Sequence, residues 1–103
     1  MIQETFRVAI NEKLMVRVTF ISKNKGILTK FCIPFDIGPS RRFKDKSQRY
    51  HFFAIDNKLG NHNLSILPNQ ILNIEVTTST FNPANYISWK PCWFIKRNWG
   101  IYS

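Results

Sequence analysis

The spacing of hydrophobic positions changes several times along the chain, and each change marks an element. Phe6, Ile10 and Leu14, with Ala9, recur at helical intervals, while Arg7, Asn11 and Glu12 fall elsewhere on the wheel. This pattern predicts a helix over 3–13. Val16, Val18 and Phe20 then alternate with Arg17 and Thr19, the period of a half-buried strand, over 15–22. Lys23-Asn24-Lys25-Gly26 reads as a turn in which Gly26 takes positive φ. The partner strand, 27–35, sends Phe31, Ile33 and Phe35 to one face and Lys30 and Cys32 to the other. Pro34 has no N–H to give a ladder, which places a strand end or an edge there.

Asp36 to Gln48 is polar, carries Gly38 and Pro39, and reads as a long loop. The run Arg49-Tyr50-His51-Phe52-Phe53-Ala54-Ile55-Asp56 is apolar on both faces, which predicts a strand over 49–56 covered on both sides. Further strands are predicted over 62–67 and 71–77, the last with Leu72, Ile74 and Val76 inward. Past Asn82-Pro83, Ser88 as a cap, Pro91 in a first turn and Gly100 beyond the end predict a short helical segment over 88–98. The sum is one mostly-β domain over 1–103: a helix, five short strands in meander order and a helical tail. A small closed barrel is favoured over a flat sheet, which would expose its edges.

Composition adds a partner. Fifteen Lys and Arg against six Asp and Glu give a formal charge of +9. Such an excess repels itself and suits an anionic partner, of which single-stranded DNA or RNA is expected here. No apolar run approaches the roughly 18–20 residues that span a bilayer, and the first residues do not form a secretory signal, so no membrane partner and a cytoplasmic location are expected. Cys32 and Cys92 are expected to be small buried hydrophobes.

The richest candidate surface lies between Arg41 and Arg49, where Arg41, Arg42, Lys44, Lys46 and Arg49 surround Phe43 and a single Asp45. Its cations would hold phosphates, while Phe43, Tyr50 and His51 would offer faces for bases. The alternative is a solvated loop with Phe43 tucked back on the barrel. Arg17 and Lys30 are expected on one outer face, extending the basic track; an ordinary exposed strand face is the alternative. The tail interleaves Tyr86, Trp89, Trp93, Phe94, Trp99 and Tyr102 with Lys90, Lys96 and Arg97. It reads as a cover for the outer face of 49–56, as a nucleic-acid platform, or as an interaction surface of Trp89, Trp93, Lys96, Arg97 and Trp99 for a homodimer or a larger regulator. No metal and no cofactor are expected, because the spacings of His51, His62, Cys32 and Cys92 match no zinc pattern. No enzyme is expected either: the acidic residues form no local pair, and no nucleophile or phosphate-loop motif is present.

The ordered pieces resemble a family, the WYL domain, a small Sm-like barrel of bacterial transcription regulators. The likeness covers nearly the whole chain, as a stand-alone version of the domain. It runs from the leading helix through Ala9-Ile10 and the strand Met15 to Ile21. It continues through Lys30-Phe31-Cys32-Ile33-Pro34, a basic residue on the strand before a Pro, and through Tyr50-His51-Phe52 in the place of the naming tripeptide. Leu67 to Ile71, the strand to Val76, Phe81, Pro83 and Trp99-Gly100-Ile101 follow in the family's order. The chain departs from the pattern at the tripeptide, which is not Trp-Tyr-Leu, and at Gln70, where the family commonly has Arg. The resemblance implies a five-stranded Sm/SH3-like barrel and a non-enzymatic regulatory or ligand-sensing module whose basic surface binds single-stranded nucleic acid or another anionic ligand.

Overall fold

The structure, a computed structural model, describes residues 2–40, 44–56 and 58–103. Helix α1 (Ile2–Glu12) precedes strands β1 (Leu14–Ser22), β2 (Gly26–Pro39), β3 (Gln48–Ala54), β4 (His62–Ile66) and β5 (Ile71–Thr80). All neighbouring strands pair antiparallel, in the order β4-β3-β2-β1-β5. Single 3₁₀ turns follow at Pro68–Gln70, between β4 and β5, at Pro83–Asn85 and at Gly100–Tyr102. Among the described residues no ladder joins β4 to β5, so the sheet is not closed.

The helix ends at Glu12, one residue before the expected end at 13. Lys13 takes φ +55°, a left-handed cap whose N–H donates to the Ile10 carbonyl at 3.2 Å, and Leu14 starts β1. Phe6, Ala9 and Ile10 are fully buried against the inner face of the sheet, with Val16, Val18, Cys32 and Ala54. Phe6 meets Tyr50 and Phe52 edge-on, at centroid distances of 5.0 and 5.3 Å. Full burial of an aromatic such as Phe6 contributes about 1.5–3 kcal/mol.

Two bulges redirect side chains. In β5 the pairing slips between Thr19 and Phe20, so Ile71 lies opposite Phe20 and is buried while Leu72 faces solvent. Ile74 stays inward opposite Val18. In β2, Pro34 pairs with Phe52 and Asp36 with His51, leaving Phe35 as one extra residue. Directly paired residues share a face. The bulge therefore turns Asp36, which strict alternation would aim at α1, to the outer face beside His51. The predicted loop 36–48 is also shorter than its polarity suggests: β2 runs on to Pro39, pairing Gly38 with Arg49 and Pro39 with Gln48.

The outer face of β2 and β3 is covered by the tail, and the tail is not helical over 88–98. Three of its N–H groups go to side chains rather than to carbonyls one turn back. Phe94 N–H and Ile95 N–H donate to the Asp36 carboxylate at 2.8 and 3.0 Å, and Trp99 N–H donates to Ser103 Oγ at 2.8 Å. Arg97, its side chain sealed from solvent, donates to Asp36 Oδ1 at 3.3 Å, to the Ile95 carbonyl at 3.1 Å and to the Phe35 carbonyl. The guanidinium lies 4.0 Å from the ring centre of Trp93 and 4.5 Å from that of Trp99. Burial pushes it down to about 10, and Asp36 opposes that shift. Trp99 carries the tail round to the helix, donating its indole N–H to the Ile10 carbonyl at 2.8 Å.

Asp36→Ala would leave Arg97 charged and without its counter-ion inside the molecule, so the variant is expected to lose about 3–5 kcal/mol in denaturant unfolding. The tryptophan emission of its native state is expected to shift red as the tail loosens.

Candidate functional site

The outer face and the tail enclose a cleft of about 890 Å³. Its floor is the outer face of β2, β3 and β4: Phe35, His51, Asn63 and Ser65. The β3–β4 register sets His51 opposite Ser65 and Phe53 opposite Asn63. One wall is the tail, with Trp89, Lys90, Cys92, Trp93 and Phe94. The rim is Pro39, Ser40, Lys44 and Lys46.

Two of the aromatic rings are available to a ligand. Trp89 is 48% and Phe94 64% exposed, although each has an anchor. Trp89 meets Phe35 edge-on at 6.1 Å, and the Phe94 ring sits against Gly38, where an added Cβ would fall 2.3 Å from it. Trp93 packs on Phe35 at 5.5 Å and donates its indole N–H to the Tyr102 carbonyl at 2.7 Å. Asp36 is the one carboxylate among the described lining residues, and its two oxygens already accept from Phe94, Ile95 and Arg97. The ammonium groups of Lys44, Lys46 and Lys90 therefore set a positive field in the cleft.

His51 is held at both nitrogens, Nδ1 at 2.9 Å from Ser65 Oγ and Nε2 at 2.8 Å from the Gly38 carbonyl. It has no nitrogen left to activate Cys92, which shares the cleft. Cys92 is exposed, against expectation, because the irregular tail turns it outward. Cys32 is buried as expected, and desolvation pushes its thiol up to about 12.

The structure divides the residues singled out in the sequence. Lys44, Lys46, His51, Trp89 and Trp93 meet in the cleft. Arg41, Arg42 and Phe43 lie outside the described residues. Arg17 and Lys30 do not form one track: Arg17 pairs with Phe31 and Val18 with Lys30, so the two cations project to opposite faces. Each also meets an acid, Arg17 with Glu75 at 2.9 Å and Lys30 with Asp56 at 2.8 Å. Arg49 is buried and reaches Asp45 at 3.4 Å, since β2 extends alongside it. Tyr50 is buried against Phe6 and offers no face to a base. Arg97 and Trp99 are committed to the tail's own packing, while Lys96 is exposed beside a separate hollow of about 270 Å³.

Lys90 and Phe94 were visible as part of the aromatic and basic pattern of the tail. Asn63 and Ser65 carried no signal of their own; only the register of β4 on β3 brings them beside His51. Comparison with family models, with curated proteins and with solved structures finds no match to this chain.

The Lys30–Asp56 pair has a consequence for acid stability. The hydrogen bond from Lys30, then the N–H groups of Leu59 and Lys58, hold the Asp56 carboxyl well below the usual carboxylate range. A depressed folded value means stability that is present above the unfolded value of about 3.9 and is lost as pH falls through the folded one. Urea midpoints are expected to drop below about pH 4. Asp56→Asn is expected to be less stable at neutral pH and to show a flatter acid limb; the remaining slope carries Asp45, which Ser47 shifts in the same direction.

Proposed function

We propose that the chain is a non-enzymatic binding module for single-stranded nucleic acid, and that the cleft between the sheet and the tail is its site. The observation that carries this reading is the meeting, in one cleft, of the exposed rings of Trp89 and Phe94 with Lys44, Lys46 and Lys90. Exposed rings hold unstacked bases, and ammonium groups hold the phosphates that accompany them. A duplex keeps its base faces stacked inside, so the rings favour a single strand.

The scaffold fits a WYL-like barrel of Sm/SH3 type acting in regulation. In support, β1 pairs with both β2 and β5, which sets the first and last strands side by side. Among the described residues only the β4–β5 seam lacks a ladder, and the 3₁₀ turn Pro68–Gln70 spans it. At Gln70, where the family's Arg would meet a ligand, the amide is taken up by the Leu67 N–H at 3.2 Å and the Ile21 carbonyl at 3.1 Å. An interaction surface on the tail is less well supported, because Arg97 and Trp99 are used inside the chain.

Fluorescence anisotropy of labelled single-stranded DNA, single-stranded RNA and duplex DNA, across a range of salt, tests the reading. If Lys44, Lys46 and Lys90 each neutralise one phosphate, log affinity for a single strand is expected to fall with log salt at a slope of about −2 or steeper. Replacing all three by Ala is expected to flatten the slope by about two units. Trp89→Ala is expected to cost about 1–3 kcal/mol of binding. Equal or tighter binding of duplex, or a slope unmoved by the triple variant, would overturn the assignment.

A further inference from the structure

Two hydrogen bonds on the cleft floor fix the polarity of one hydroxyl. His51 Nε2 lies 2.8 Å from the Gly38 carbonyl, which can only accept, so this nitrogen carries the hydrogen. In the neutral ring Nδ1 is then an acceptor, and Ser65, 2.9 Å away, donates its hydroxyl hydrogen to it. The Ser65 oxygen faces the cleft with lone pairs alone. A free serine offers both a donor and an acceptor; this one has lost its donor to the chain Ser65–His51–Gly38. Asn63, two residues earlier on β4, faces the same cleft and is exposed. Its amide both donates and accepts and has no polarity of its own to impose.

Resting on the reading that the cleft binds single strands, we infer that Ser65 selects bases with an amino group at purine C6 or pyrimidine C4, adenine and cytosine, over their counterparts with a keto oxygen there. A base lodged against Trp89 or Phe94 turns its edge to the floor. An amino group there donates to Ser65 Oγ, and Asn63 supplies the second bond of the edge. A keto oxygen in the same place would set two acceptors against each other in a site partly shielded from water, leaving both unsatisfied. Sites built to bond one polar group discriminate by rejecting the group that cannot make the bond.

The test uses the intact chain and short labelled RNA oligonucleotides matched in pairs: oligo(A) against oligo(I), and oligo(C) against oligo(U), at one fixed salt concentration. Within each pair the amino group is exchanged for a keto oxygen and the adjoining ring nitrogen changes with it. The expected result is about tenfold tighter binding of the amino member of each pair. Ser65→Ala is expected to bring both ratios close to one while leaving the salt dependence in place. His51→Phe returns the hydroxyl hydrogen to Ser65 and is expected to do the same with the serine still present. Equal affinities within both pairs, or ratios that survive both variants, would overturn the inference and leave the single-strand reading standing. Absence of salt-dependent binding to all four oligonucleotides would overturn that reading and the inference together.

Discussion

The Asp36 carboxylate is the point on which the arrangement turns. A bulge at Phe35 delivers it to the outer face, where it takes two backbone N–H groups from the tail and one from the Arg97 guanidinium. A segment with no ladder and no helix must find partners for its backbone elsewhere, or pay for burying them bare. Here one side chain provides several. Arg97 completes the unit from the other direction, reaching back to the Phe35 carbonyl that the bulge frees while Trp93 and Trp99 flank its charge. Removing either ion would leave the other buried without its counter-charge, so the pair fixes the tail's path even though a buried ion pair adds little net stability.

That path decides which charges reach solvent in company. The sequence spreads its fifteen cations unevenly, with five between Arg41 and Arg49 and none from 59 to 89, and Arg17, Lys30, Arg49 and Arg97 each meet a carboxylate. Three of these four are arginines, whose planar, weakly hydrated head suits ion pairs and stacking on rings. The lysines left around the cleft keep compact, well-hydrated charges on flexible stems. The net charge thus sets the sign of the surface field but not the place where free cations gather.

The fold was legible where one period ruled. The alternation of Val16, Val18 and Phe20 and the two-faced run around Phe52 marked the strands, but the expected meander holds only from β1 to β4, since β5 crosses back to pair with β1. It was illegible where a local event overrode the period. One extra residue at Phe35 reversed the face of Asp36, and a slip at Thr19–Phe20 exchanged Leu72 for Ile71. The helical tail failed for a different reason: cap and stop residues stood at suitable spacing, but the N–H groups between them were captured by a carboxylate nearly sixty residues away in sequence. Of the candidate site, Lys44, Lys46, His51 and Trp89 could be named because charge and aromaticity show in composition. Asn63 and Ser65 could not, since an Asn and a Ser on an edge strand resemble any solvent-facing pair until the register sets them beside His51.

The cleft also depends on something missing. Phe94, next to the Asp36 anchor, lays its ring where a side chain at position 38 would otherwise stand, and that position is Gly38. A methyl group there would press on the ring at 2.3 Å and drive it outward, away from the floor. The same residue gives its carbonyl to His51, so Gly38 sets both the nearest approach of the tail and the tautomer of the imidazole below it. Its backbone has no left-handed strain to relieve; the glycine serves close approach alone. A ladder on one side and a strap held at Asp36 on the other give the cleft its floor and its wall. Under the proposed single-strand reading, the polar edge that would meet a base is fixed on the sheet by the hydrogen bonds from Ser65 through His51 to Gly38.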